Sequence, residues 1–122
     1  MERAFKTRHF QRWMRKTELT EAALSKAVEE MAAGLIDADL GSGVVKKRVG
    51  LAGRGKRGGA RTLVATKKSD RWFFLYGFQK NDRSNLSDEE LETLQAIAAD
   101  LLALTHEQLD EAVRRGTLQE IG

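Results

Sequence analysis

The chain has 122 residues, of which 41% are hydrophobic and 32% are charged, and it contains no cysteine. This composition is typical of a globular protein and excludes disulfides, cysteine-based zinc sites and thiol catalysis. Neither an apolar run of about 18 residues nor the apolar stretch of a signal peptide is present, so a membrane span and secretion are not expected. We therefore expect one domain over residues 1–122 and a cytoplasmic location.

Positive charge is concentrated in the middle of the chain. Residues 43–83 carry twelve basic and two acidic side chains, a net charge of +10. Residues 1–42 are neutral overall, whereas residues 84–122 carry a net charge of −7. A local excess of this size favours a polyanionic partner such as nucleic acid. The alternative is a solvated basic face that the acidic tail balances.

The N-terminal third predicts a short strand and two helices. Residues 3–6 are a weak strand candidate, and residues 7–18 carry apolar side chains at helical spacing. Thr20 is suited to cap a second helix, and Gly34 is suited to end it. Both apolar stripes are interpreted as parts of the core.

The pattern changes to that of a strand at residues 44–51, which are rich in valine. Alternation places Lys46 and Arg48 on one face of this strand and Lys47, with its valine neighbours, on the other. The strand is therefore expected to present at least two cations on a single face.

Two further strands, residues 60–67 and 71–79, are predicted after a glycine-rich segment, residues 53–59, which is interpreted as a loop or hairpin connection. The unbroken apolar run of the third strand predicts burial on both faces. If these two strands are neighbours, we expect Arg61 and Lys80 to lie toward opposite ends of the pair.

The third strand is also rich in aromatic residues. Alternation predicts one shared face for Trp72, Phe74, Tyr76, Phe78 and Lys80. We interpret the aromatic side chains as core residues rather than as platforms on which bases stack.

The C-terminal third predicts two helices with defined beginnings. Ser87 and Thr105 each stand three residues before a Glu or Gln, the spacing of a capping box, and Gly116 is suited to end the second helix. Residues 87–122 are therefore expected to be a helical extension of the same domain. The predicted class is α+β, with two N-terminal helices on a small antiparallel sheet and two C-terminal helices after it.

Conventional catalytic groups are sparse in the basic segment. His9 and His106 lie on predicted helices and are expected at the surface. No carboxylate cluster in the basic segment is suited to hold magnesium, which disfavours a metal-dependent nuclease. The stretch GRGKRGGAR, residues 53–61, lacks the spacing of a nucleotide-triphosphate loop, but its glycines would let cations approach a phosphodiester backbone closely. A solvent-exposed basic hairpin is the alternative.

RNA can be cleaved without a metal ion because it carries its own nucleophile, the 2′-hydroxyl group. Cleavage then needs a base for that proton, cations for the charge of the phosphorane, and an acid for the leaving oxygen. A lysine among many cations is suited to act as the base, and arginine is suited to hold phosphate. The sequence permits this chemistry without requiring it.

Three features together resemble the RelE superfamily of toxin–antitoxin toxins, and within it the HigB-like, RelE-type branch. They are the run KKRVGLAGRGKRGGARTLV, the turn FQK–R after an aromatic strand, and the tail ending in RRGTLQEIG. The resemblance covers essentially the whole chain and implies a microbial-RNase-like fold. It implies cleavage of messenger RNA in the ribosomal A site without metal or other cofactor. It also implies neutralisation by a cognate antitoxin encoded alongside, for which we expect a helix-turn-helix protein.

The resemblance also implies site residues on the concave face of the sheet. The residues that match the catalytic positions are Lys56, Arg61, Lys80 and Arg83. We expect Lys56 or Lys80 to accept the proton, and Arg61 and Arg83 to stabilise the phosphorane. The further cations expected to bind nucleic acid are Lys46, Lys47, Arg48, Arg54 and Arg57.

One departure from the family pattern and one property of the superfamily leave other functions open. Some members of the superfamily use a tyrosine near the C-terminus, whereas the only tyrosine here is Tyr76, inside the third predicted strand. The ParE branch of the same superfamily inhibits DNA gyrase and cleaves no RNA. A ParE-like gyrase inhibitor and a plain RNA-binding protein are therefore the alternatives to the nuclease.

Overall fold

The computed structural model describes residues 2–51, 55–67, 70–79 and 85–122, and for residues 55–58 it describes the backbone alone. The elements in chain order are β1 (Arg3–Thr7), α1 (Arg8–Met14), α2 (Glu21–Ala32), β2 (Ala38–Asp39), β3 (Val44–Leu51), β4 (Gly55–Thr66), β5 (Arg71–Gln79), α3 (Asp88–Leu102), α4 (His106–Arg114) and β6 (Leu118–Ile121). The predicted α+β class is confirmed. No helix in these ranges is both long and apolar enough to cross a membrane.

The described strands form one sheet in the order β2-β3-β4-β5-β1-β6. β1 pairs parallel to β5 and antiparallel to β6, while β3, β4 and β5 form an antiparallel meander. The prediction of a small, purely antiparallel sheet is therefore wrong in size and in direction. β1, which matches the strand candidate at residues 3–6, precedes the first two helices. In the sheet it lies between β5 and the C-terminal strand β6.

Apolar side chains cover both faces of this sheet. On one face, Phe10 of α1 and Leu24 of α2 pack with Trp72 and Phe74 of β5 in a single cluster. On the other face, a second cluster includes residues of α3 and α4 together with Phe73. Burying each large apolar side chain contributes about 1.5–3 kcal/mol, so the two clusters together hold the helices against the sheet.

Side-chain caps start the helices where the sequence predicts them. Thr20 accepts a hydrogen bond from the backbone of α2, and Ser87 and Thr105 each form a reciprocal capping box. Gly116 follows α4 with a φ of 77°, a left-handed conformation that glycine adopts without strain. These beginnings and ends are confirmed because capping is decided within a single turn of chain.

The glycine-rich segment is more ordered than predicted. β4 begins at Gly55, so residues 55–59 of this segment are strand rather than loop. A side chain at Gly59 would place its Cβ 2.1 Å from the carbonyl oxygen of Val49 on β3. Glycine at this position therefore allows the two strands to approach closely, a use that glycine has in strands.

A register shift between β4 and β5 changes which aromatic residues share a face. Leu63 pairs with Tyr76, whereas the next residue, Val64, pairs with Phe74. The extra residue in β5 is a β-bulge, and it reverses the alternation beyond it. Tyr76 and Phe78 therefore belong to the face opposite Phe74, and the predicted shared face of the four aromatic residues is wrong.

The expected positions of Arg61 and Lys80 concern these two neighbouring strands. Ala60 pairs with Gln79, and Arg61 pairs with Phe78. Antiparallel neighbours bring the start of one strand to the end of the next, so Arg61 lies near the end of β5. Lys80 itself lies outside the described residues, and its position relative to Arg61 stays a prediction.

Gly77 determines how closely α1 packs on the sheet. A Cβ at Gly77 would lie 2.3 Å from the ring of Trp13, and its three closest contacts are all atoms of that ring. The absence of a side chain in β5 thus makes room for Trp13 of α1.

We predict that Gly77→Ala lowers the free energy of unfolding by about 1–3 kcal/mol, because the added methyl group overpacks this contact. In a Trp13→Leu background the same substitution should be much less harmful, because the ring that it meets is gone. Chemical denaturation of the four proteins measures this coupling. An equal effect of Gly77→Ala in both backgrounds would contradict the contact.

Candidate nucleic-acid interface

Three adjacent strands place two arginines and one aromatic residue in a row across the sheet. Arg48 of β3 pairs directly with Arg61 of β4, and Arg61 pairs with Phe78 of β5. Residues opposite one another in neighbouring strands have Cβ atoms about 4.5–5.5 Å apart and point to the same face. The row therefore lies on the face opposite α1 and α2, where Phe78 is buried in the cluster that includes Leu94 and Ala98 of α3.

A second row runs beside the first. Lys46 of β3 pairs with Leu63 of β4, and Leu63 pairs with Tyr76 of β5. The side chains of Lys46 and Tyr76 are both half-buried. Because the Phe78 ring is only 3% exposed, the two rows offer a nucleic acid their cations and the half-buried Tyr76 ring rather than a full stacking platform.

The guanidinium of Arg61 is the most unusual group on this face. Arg61 is half-buried, and its Nη1 is buried without a hydrogen-bond partner among the described residues. A buried donor that makes no hydrogen bond destabilises the protein by about 1–3 kcal/mol, and by more when it is charged. An anion bound at this position would satisfy the donor.

The positive charge of Arg48 is partly neutralised by the carboxylate of Asp37. Its Nε lies 4.0 Å from a carboxylate oxygen of Asp37, and its backbone N–H donates to the same carboxylate at 2.6 Å. The Arg48 side chain remains 48% exposed. It is therefore available to a ligand that approaches the open face.

Lys47 belongs to the opposite face of β3, as the alternation predicts. It is 3% exposed, forms an ion pair with Glu30 of α2 at 2.9 Å, and donates to the carbonyl oxygen of Leu35 at 2.8 Å. Burial and these partners turn it away from the cationic face. We correct the sequence interpretation accordingly and leave Lys47 out of the proposed nucleic-acid contacts.

Five of the predicted site residues lie outside the residues whose side chains the structure describes. Arg61, Lys46 and Arg48 are described, and the structure places all three on one face. The remaining residues are Arg54, Lys56, Arg57, Lys80 and Arg83.

A stacked pair of rings extends the face toward α1. The ring centroids of His9 and Tyr76 are 5.3 Å apart, and the ring planes are 9° from parallel. The Tyr76 ring also lies 6.4 Å from the Phe78 ring, next to Arg61 in the first row. The sequence analysis missed this arrangement, because only the β-bulge brings Tyr76 to this side of the sheet.

Acidic residues of the C-terminal segment form hydrogen bonds with Arg3 of β1. Arg3, which pairs with Arg71 at the start of β5, donates to Glu120 at 2.9 Å and to Asp110 at 2.9 Å. These hydrogen bonds, led by the one to Glu120, raise the pKa of Arg3. Within the described ranges, no three His, Asp or Glu side chains come together as ligands for a metal ion.

Three cations grouped on one face of the sheet of an α+β domain are typical of a protein that binds a polyanion. The model of one protein family, described as "RelE toxin of RelE / RelB toxin-antitoxin system", matches residues 2–121. The chain therefore belongs to the RelE family of toxins, which pair with antitoxins. A search of curated proteins gives no significant match.

We predict that replacing Lys46 and Arg48 together with glutamine weakens RNA binding and makes it less dependent on salt. Each lost phosphate contact with a single strand should reduce the log–log slope by about 0.7, and the pair by about 1.4. Titrations over a series of salt concentrations measure this slope. Lys26→Gln, an exposed lysine on α2, is the matched control and should leave the slope unchanged. An unchanged slope in the double variant would exclude this face as the phosphate-binding surface.

Proposed function

We propose that the chain is a messenger-RNA endoribonuclease that cuts translated messages on the ribosome and so inhibits translation. Family membership supports an RNA-cleaving toxin, and the features quoted from the sequence favour the HigB-like branch. The observation that carries the proposal is the half-buried guanidinium of Arg61, whose Nη1 has no partner in the described part of the chain. Its neighbour across the strands, Arg48, adds a second positive charge.

The proposed reaction is an attack of the 2′-oxygen of a ribose on the adjacent phosphorus atom. The bond to the 5′-oxygen of the next nucleotide breaks and this oxygen takes a proton from water, so the products are a 2′,3′-cyclic phosphate and a free 5′-hydroxyl group. Negative charge increases on the phosphoryl oxygens as the phosphorane forms. Arg61 would stabilise that charge directly, and Arg48 would hold the neighbouring phosphate.

We assign proton transfer to residues of the glycine-rich segment and of the segment that follows β5. We propose Lys56 or Lys80 as the base that accepts the 2′-hydroxyl proton, and Arg83 as a second ligand of the phosphorane. The register of β4 and β5 supports the choice, because Gln79, which precedes Lys80, pairs with Ala60 beside Arg61. The nucleophile is part of the substrate, so the proposed mechanism uses no metal ion or other cofactor.

Two partners follow from this proposal. One is messenger RNA on the ribosome, and the other is a cognate antitoxin, which we propose to be a helix-turn-helix protein encoded beside the toxin. Co-expression with that antitoxin should suppress the growth arrest that the toxin causes alone.

We predict that Arg61→Ala lowers the rate of ribosome-dependent cleavage by about 10²–10³, as expected when a preorganised ligand of the transition-state charge is removed. Growth arrest should be lost, while the melting temperature stays nearly unchanged. The measurement is mapping of transcript ends after induced expression. Arg115→Ala is the matched control, because this exposed arginine at the end of α4 lies outside the cationic face.

Other outcomes would identify a different function. Growth arrest with intact messages and blocked DNA supercoiling would contradict the nuclease and indicate a gyrase inhibitor. A folded wild-type protein that cuts no message on translating ribosomes and arrests no growth would leave only a binding function.

A further inference from the structure

A cavity of about 490 Å³ opens beside the cationic face, between the stacked rings and the first turns of α3. His9, Leu75 and Tyr76 form one side of it, and Glu89, Leu94 and Ile97 of α3 form the other. Tyr76, which lines the cavity, and Arg61 are diagonal neighbours on one face of adjacent strands, about 7–8 Å apart. A nucleotide whose phosphate contacts Arg61 would therefore have its base near this cavity.

The walls of the cavity suit a flat aromatic ligand. Tyr76 is half-buried and is covered on one side by the His9 ring, whereas His9 itself is exposed to solvent. The outer face of the His9 ring is thus accessible for stacking. Ile97, 40% exposed, provides apolar surface on the other side. Stacking of this kind contributes to binding whichever base is present.

The two threonine hydroxyls that line the cavity already donate hydrogen bonds within the protein. The Thr93 hydroxyl donates to the carbonyl oxygen of Glu89 at 3.0 Å, and the Thr7 hydroxyl donates to the backbone carbonyl of Phe74 at 3.3 Å. Both hydroxyl protons are therefore already engaged. The Glu89 carboxylate, on the exposed first turn of α3, is used by neither contact and can accept from a ligand.

We propose that this cavity binds one base of the RNA substrate, stacked on His9, and selects bases that carry an exocyclic amino group over uracil. The inference rests on the proposed RNA-cleaving function and adds a base-selecting subsite to it. At C4, cytosine presents an amino donor where uracil presents a carbonyl acceptor, and this is the position that Glu89 is proposed to contact. A carboxylate wall accepts from the amino group and repels the carbonyl oxygen.

The test compares binding of two RNA octamers, oligo(C) and oligo(U), both 2′-O-methylated so that they cannot be cleaved. Equal length and charge make the phosphate contribution the same for both. Fluorescence anisotropy with the wild-type protein should show tighter binding of oligo(C), by about tenfold. Equal affinities for the two oligomers would overturn the proposal.

Variants assign the preference to the cavity. Glu89→Gln, which adds an amide donor, should reduce or reverse the preference for oligo(C), whereas Glu92→Gln on the same helix should retain it. His9→Ala should weaken the binding of oligo(C) by about tenfold, and His9→Phe should restore it, because stacking needs a flat ring. A cytosine preference that survives both Glu89→Gln and His9→Ala would overturn the assignment to this cavity.

Two further outcomes separate this inference from its alternatives. If Ile97→Asp and His9→Ala abolish binding of the antitoxin while the base preference stays unchanged, the cavity is a protein-docking site and the proposal is wrong. Because the octamers cannot be cut, a base preference that depends on Glu89 would support the subsite even if the wild-type protein cleaved no message. Failure of the nuclease proposal is thus distinguishable from failure of this one.

Discussion

The direct pairing of Arg48 with Arg61 is the constraint on which the cationic face depends. Two like charges opposite each other in neighbouring strands destabilise a sheet. The buried Nη1 of Arg61, which has no hydrogen-bond partner among the described residues, adds to that effect. Asp37 offsets part of the repulsion on the Arg48 side. Sites that are strained in the free protein commonly serve ligands that relieve the strain. A phosphate group between the two guanidinium groups would do so.

The rest of the fold determines what surrounds this pair. The β-bulge in β5 brings Tyr76 and Phe78 to the side of the arginines, and the close packing of Trp13 on Gly77 seats α1, which carries His9. α3 packs on the same face, where its Glu90 accepts a hydrogen bond from the Tyr76 hydroxyl at 3.5 Å. Cations and aromatic rings thus share a surface that neither the charge pattern nor the alternation of β5 predicts by itself.

Local signals in the sequence predicted much of the fold, whereas pairing between distant segments was missed. The capping boxes and the strands Val44–Leu51 and Arg71–Gln79 are confirmed, because each depends on neighbouring residues. The parallel pairing of β1 with β5 and the C-terminal strand β6 depend on contacts across the whole chain. The case of Lys47 shows a different error. Alternation placed it on the core side correctly, but its charge was interpreted as a nucleic-acid contact.

The most direct test of the central claim is the free energy of unfolding of Arg61→Met, measured by chemical denaturation with and without single-stranded RNA. Methionine keeps the apolar stem and removes the charge, so the free variant should be as stable as the wild type or more stable, by up to about 1 kcal/mol. RNA should then stabilise the wild type clearly more than the variant, which retains only the contacts of the other cations. A variant clearly less stable than the wild type, and still stabilised by RNA to the same extent, would show that Arg61 has a structural role and would contradict the account.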